Sequence, residues 1–354
     1  MKDLVMLDWK ESASRAYGGA DSALRRIVGN HWLGRALALL LALYLLVTGL
    51  LGWFWSLEPD AFPVQENAQA SAEQAQRKFV KGYTTVETLR TVAGTLLDKP
   101  GGYLTNDLSP PGIWLDNMPS WEFGVLTQVR DLARSLRKEM ARSQSQSTED
   151  PDLAKAEPRF NFDNRSWALP ASETEYRAGL KLLDSYLARL ADPVKPSAQF
   201  FARADNLNGW LGDVATRLGS LSQRLSASIG QERLDADLVP DEETGQVQQG
   251  EVVKTPWLQI DNVFYEARGQ AWALAHFLRA IEVDFGDVLA RKNATVSLQQ
   301  IIRELEAAQE PLWSPMVLNG GGYGMLANHS LVMANFISRA NAALIDLRAL
   351  LSQG

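Results

Sequence analysis

Between Arg35 and Glu58 the chain carries no charged side chain, and Ala36–Trp55 is 20 residues of almost pure hydrocarbon. A helix rising about 1.5 Å per residue reaches roughly 30 Å over that length, the thickness of a bilayer's apolar core. Twenty consecutive uncharged residues also leave no polar face for water, which argues against a helix of a soluble domain. The sequence therefore predicts a short segment 1–35, one membrane span at 36–55 and a soluble region 56–354.

Charge sets the expected orientation. Residues 1–35 hold six basic side chains (Lys2, Lys10, Arg15, Arg25, Arg26, Arg35) and four acidic ones, a net +2. The first charges after the span are Glu58, Asp60, Glu66 and Glu73, all acidic. By the positive-inside rule the N-terminus is cytoplasmic. Trp32 at one end of the span and Trp53 and Trp55 at the other suit the headgroup level. A cleaved signal peptide is the competing reading, but a basic region of 35 residues and an apolar run of 20 both exceed its usual proportions. The A-x-A-like sites at Ala68-Gln-Ala70 and Ala70-Ser-Ala72 fall well beyond the apolar run. Gly34, Ala38 and Ala42 recur every fourth residue, a ladder of small side chains that would let two spans approach closely in a homo-oligomer.

Composition narrows the remaining region. Hydrophobic residues make up 46% of the chain and charged residues 22%, the balance of globular rather than disordered protein. Beyond residue 35 there are 29 basic and 38 acidic side chains, a net −9. That excess argues against nucleic acid or anionic lipid as the main partner. The absence of cysteine excludes thiol catalysis, disulfides and cysteine-based metal centres.

Apolar residues then recur at spacings of three and four, the signature of helices burying one stripe. Seven such runs are present: Ala72–Leu96, Leu126–Met140, Tyr176–Leu190, Ala204–Leu225, Ile260–Val288, Leu298–Leu305 and Met333–Leu350. No alternating strand pattern of comparable length appears, so the expected fold is all-α, an N-terminal span followed by a bundle of about seven helices. Thr84 or Thr85 would interrupt the first run, and Pro100-Gly101-Gly102 ends it. Two polar stretches, Ser143–Arg159 and Gln231–Thr255, read as long loops, and the second places a possible subdivision near 231–256.

Chemistry is harder to find. The three histidines, His31, His276 and His329, have no neighbours at metal-binding helical spacing, so neither metal nor cofactor is expected. His329 beside Ser330 points away from it, and capping of the last helix by Asn328 or Ser330 is the simpler role. Asn319-Gly-Gly-Gly-Tyr-Gly324 lacks the Lys-Ser/Thr of a phosphate loop and follows no strand. Arg130, Arg134, Arg137, Lys138 and Arg142 line one side of the second run, as a solvated face or a seat for an acidic partner or the membrane surface.

What stands out is a Gly-Gly-Tyr element occurring twice, Gly101-Gly102-Tyr103 and Gly321-Gly322-Tyr323, each near a Pro/Trp cluster. Tryptophans gather in the connections, at Trp114, Trp121, Trp167, Trp257 and Trp313. Aromatics with a polar handle plug the ends of bundles or stack on partners. The candidate binding surface is thus Gly101, Gly102, Tyr103, Trp114 and Trp121 together with Trp313, Gly321, Gly322, Tyr323 and His329.

The wording GWFWSLEPDAF, PGGYLTND, PGIWLDNMPSWEFG, RFNFDNRSW and NGGGYGMLANHS, after one span, resembles a family of bacterial inner-membrane proteins defined as a domain of unknown function. The resemblance runs over most of the chain. It implies an inner membrane with the large domain in the periplasm, and it brings no activity, cofactor or catalytic residue. The expectation is a non-enzymatic, single-pass inner-membrane protein whose periplasmic domain scaffolds or adapts a cell-envelope assembly by binding an envelope protein. The alternative is a periplasmic enzyme acting on cell-wall glycan or peptide.

Overall fold

The computed structural model describes residues 31–143, 148–232, 252–310, 317–319 and 328–353. Its first helix, α1 (His31–Trp55), contains the uncharged stretch. From Trp32 to Trp55 it is long and apolar enough to cross a membrane, and its leucines are bare. By internal packing the chain divides into two units, one ending at Phe54 and the other running Trp55–Gly354.

The second unit is helical. It comprises α2 (Val64–Gln74), α3 (Tyr83–Asp98), α4 (Asn117–Ser135, continued by a π turn to Met140), α5 (Leu153–Phe160) and α6 (Ser172–Leu190). These are followed by α7 (Ala204–Ser226), α8 (Ile260–Asp284), α9 (Gly286–Arg291), α10 (Thr295–Ala307) and α11 (His329–Ser352). The fold is all-α. A two-residue antiparallel pairing, Gln231–Glu232 with Val252–Val253, is the only extended structure among the described residues.

Helix α8 is the axis. Every residue from Ala267 to Leu278 is buried, so the helix is enclosed all round instead of burying one stripe. It packs on α2, α3, α4, α7, α10 and α11, while α7 lies along α11 and α5 along α6. Its closest neighbour is α4, and two glycines allow the approach. A methyl built on Gly124 would lie 2.2 Å from the Glu266 carbonyl oxygen, and one on Gly269 would lie 2.1 Å from that of Trp121. The two backbones touch where neither residue has a side chain.

Several boundaries differ from the sequence expectation. The first run is two helices, broken at residues 75–82, and Thr84 and Thr85 lie buried inside α3. The cause is distant in sequence: Asp284, at the end of α8, accepts from Gly82 N–H (2.8 Å), Thr85 N–H (2.7 Å) and the Thr85 hydroxyl (2.7 Å). A carboxylate from another helix thus caps the N-terminus of α3. Helix α5 falls inside the first polar stretch. Leu153, Ala156 and Phe160 supply a buried face only three residues deep, too short to register as a period. The basic side of α4 is largely engaged within the body, with Lys138 left exposed. Arg130 donates to the Phe160 (2.7 Å) and Phe162 (2.9 Å) carbonyls, and Arg134 and Arg137 pair with Glu157.

The connections collect at two ends. At one, the base, Gly101 abuts Trp55, the Tyr103 hydroxyl donates to Asn164 O (3.0 Å), and Asn106 donates to Ser166 O (2.7 Å). Thr255 N–H donates to Ala227 O (3.0 Å), and Arg268 ties residue 58 to residues 308–310. At the opposite end, the crown, Lys78 N–H reaches Ala191 O (3.0 Å), Phe201 N–H reaches Met140 O (2.7 Å), and Lys81 pairs with Asp287.

The segment after α1 is fastened to α8 twice. Arg268, 5% exposed, donates to both Glu58 carboxylate oxygens, the shortest bond being 2.6 Å. Two turns on, the Phe62 N–H donates to His276 Nε2 (3.1 Å), and the Phe62 ring stacks on the imidazole at 4.2 Å. His276 Nδ1 lies 2.7 Å from the Trp272 carbonyl oxygen, so the neutral Nδ1–H tautomer satisfies both partners. Burial depresses this imidazole from 6.5 to about 4. Because the unfolded chain takes up the proton first, this contribution to stability is full above pH 6.5 and is lost as the pH falls toward 4. Urea titrations at pH 7 and pH 4.5 are expected to differ by about 2 kcal/mol more in the wild type than in His276→Gln.

Candidate functional site

Helix α3 stops at Asp98, and Gly101 and Gly102 take left-handed φ values of +83° and +71°. Those angles suit glycine and fold the chain back on itself. Lys99 then reaches Gly102 O (2.6 Å) and the Glu122 carboxylate (2.7 Å). Glu122 is fully buried and also accepts from Leu104 N–H (2.8 Å), Thr105 N–H (2.9 Å) and the Thr105 hydroxyl (2.5 Å). Burial pushes this carboxyl above its ordinary value, while the Lys99 ammonium, the Thr105 hydroxyl and the Leu104 N–H oppose the shift. Tyr103 is buried edge-on against Tyr176 at 5.6 Å, and burial raises its phenol. The first Gly-Gly-Tyr element is thus a stiff bracket.

What the bracket positions is an open cleft of about 760 Å³. Ile113, Leu115 and Phe123 form an apolar wall, Asn262, Val263 and Glu266 of α8 face the cleft, and Arg165 closes a third side. Glu266 is held by Arg224 through two bonds (2.6 and 2.7 Å). Asp107 and Asp116 also line the cleft, and among the described residues neither has a lysine or arginine ion-pair partner. Burial, reinforced by Glu173 and opposed by Lys99, raises the Asp107 carboxyl. Burial and the Asp116 charge raise that of Asp261 at the start of α8. The cleft therefore offers apolar surface and unbalanced negative charge.

The residues singled out in the sequence have different fates. Trp114 stands exposed at the cleft rim. Trp121 is a core residue, its ring 5.3 Å from that of Trp272, and it is not available at the surface. Gly101, Gly102 and Tyr103 belong to the bracket. Trp313, Gly321, Gly322 and Tyr323 lie outside the described residues. His329 opens α11, where its Nδ1 accepts from Leu318 N–H (2.9 Å) and its own N–H donates to Leu318 O (2.9 Å). Asn328 caps that helix by accepting from Leu331 N–H (3.0 Å). Among the described residues no group of three His, Asp or Glu side chains is placed to hold a metal ion.

Sequence reasoning passed over Lys99, Glu122, Arg268 and Asp284, the buried ionic groups that fix the base and the crown. For Glu122 a signal existed. It lies in phase with Leu126 and Val129, a charge riding on an apolar stripe.

Among the described residues, one span-length apolar helix joined to an all-α body with an acidic, aromatic-rimmed cleft defines a class, a helical domain carrying one candidate membrane anchor. Within that class the chain belongs to a family of uncharacterised proteins conserved in bacteria (DUF2333), whose model matches residues 26–354. No curated protein and no solved structure matches it.

Proposed function

We propose that α1 anchors the protein in the bacterial inner membrane, with the N-terminus cytoplasmic and residues 56–354 in the periplasm, and that the body is a non-enzymatic adaptor for an envelope assembly. The charge step across α1 supports the orientation, and family membership supports the bacterial setting. The observation that carries the adaptor role is the cleft, in which Ile113, Leu115 and Phe123 sit beside Asp107 and Asp116, two carboxylates without a lysine or arginine partner among the described residues. That combination suits a polypeptide segment bringing apolar and basic side chains, the pairing of anchor and charge that interfaces use. The buried ionic groups support the same reading, because Glu122, Asp131 and Asp284 are all engaged in bonds that hold the fold. The ladder Gly34, Ala38 and Ala42 gives α1 a face for self-association.

Affinity purification of the full-length protein from detergent-solubilised membranes tests the reading. Asp116→Lys and Phe123→Ala are expected to lose a protein that the wild type and a crown variant, Val194→Ala, both retain. Equal recovery of every co-purifying protein by all four forms would refute the cleft as a partner site.

A further inference from the structure

The described tryptophans outside α1 fall into two groups. Trp121, Trp210 and Trp272 are buried, whereas Trp114, Trp167 and Trp257 are 58%, 64% and 80% exposed. All three exposed rings are at the base. Trp114 follows the cleft residue Ile113, Trp167 follows Ser166, whose carbonyl is held by Asn106, and Trp257 precedes the cleft residue Gln259. Exposed Leu108, Leu169 and Leu258 accompany them. The crown end shows only Phe79, Val194 and, at the start of α10, Val296 as large exposed apolar side chains among the described residues, and no exposed tryptophan. Burial of apolar surface alone does not explain this division, since every one of these rings costs solvation where it stands.

The position of the base in the chain says what covers it. Trp55 is the last residue of α1 and the first of the helical body, and Gly101 packs against its ring. Only Ser56 and Leu57 separate Trp55 from Glu58, which Arg268 holds. Fully extended, that link spans on the order of 10 Å. The headgroup layer on each face of a bilayer is roughly 5–8 Å deep. With α1 in the membrane, so short a link holds Glu58 and the part of the base beside it within that reach of the layer.

We propose that the base of the body docks on the lipid surface of its own membrane, with Trp114, Trp167 and Trp257 seated among the headgroups. Indole rings favour that layer because the ring is buried while the N–H stays hydrated. Attachment runs through rings and not through charge. The acidic body is therefore no obstacle, and the contact is independent of anionic lipid. The inference rests on the reading of α1 as a span.

Because the sequence has no cysteine, single probes can be placed without a background. Full-length Trp114→Cys, Trp167→Cys and Trp257→Cys, with Val194→Cys at the crown and Leu43→Cys in α1, are labelled with an environment-sensitive nitrobenzoxadiazole dye. Each is reconstituted alone in phosphatidylcholine vesicles, with and without phosphatidylglycerol. The base probes are expected to be quenched several-fold more by nitroxide-bearing lipid than the Val194 probe, and several-fold less by iodide, in both lipid mixtures. Base probes as open to iodide as Val194, with Leu43 quenched by lipid, would overturn the docking while leaving the anchor intact and the base to a protein partner. Lipid contact seen only with phosphatidylglycerol would also overturn it. Iodide reaching Leu43 would remove the span and the proposal together.

Discussion

Gly124→Ala and Gly269→Ala are each expected to lower unfolding free energy by roughly 2–3 kcal/mol, toward the upper range for overpacking. A methyl at either site would sit little more than 2 Å from a carbonyl oxygen of the opposite helix. Those obstacles are backbone, so no side-chain rotation clears them, and α4 and α8 must move apart. Helix propensity acts the other way, by about 1 kcal/mol, and does not reverse the sign. The double variant should cost less than the sum, because one separation of the helices relieves both clashes. Gly94→Ala in α3, where the nearest atom to the new methyl is 3.9 Å away, is the control and should be neutral or stabilising. Urea titration of the four proteins checks the set. Destabilisation no greater than that of Gly94→Ala would mean that the α4–α8 contact yields easily.

The second large effect is at the bracket. Lys99→Met should cost about 3–5 kcal/mol, because it leaves the Glu122 carboxylate buried without its countercharge. Adding Glu122→Gln should restore much of the loss, since an amide oxygen still accepts from Leu104 and Thr105 without carrying charge. The pH dependence has a definite sign. Without the ammonium the folded carboxyl is raised further above its ordinary 4.5, so the folded state holds the proton that the unfolded state releases. The deficit of Lys99→Met should therefore be smallest near pH 4 and grow as the pH rises. A flat profile in chemical denaturation from pH 4 to 7 would show that Glu122 finds another partner.

Most of the helical frame was legible in the sequence because amphipathic helices advertise themselves through spacing. The runs ending at Leu190, Leu225, Leu305 and Leu350 each correspond to one helix, α6, α7, α10 and α11. Failures came where the determinant was not periodic. The break before α3 depends on Asp284, about 200 residues away, and α5 depends on three side chains. Helix α8 announced only one stripe, since Gly269, Gln270 and Ala273 give no hint that they too are enclosed. For the candidate surface, residue type alone does not separate packed aromatics from exposed ones. Tyr103 and Trp121 are packed away, whereas Trp114 and Trp167 are exposed. Composition cannot tell a plug from a rim; burial decides, and burial is a property of tertiary packing.

The double fastening of residues 58–62 to α8 also fixes how force would travel. A pull on the N-terminal side enters through Glu58 and Phe62 and arrives at Arg268 and His276, within the fully buried stretch of α8. The load is thereby borne at the centre, and peeling the outer helices away one at a time is not the easy route. A body fastened this way is expected to resist such a pull as a single unit, yielding only when the axis itself gives.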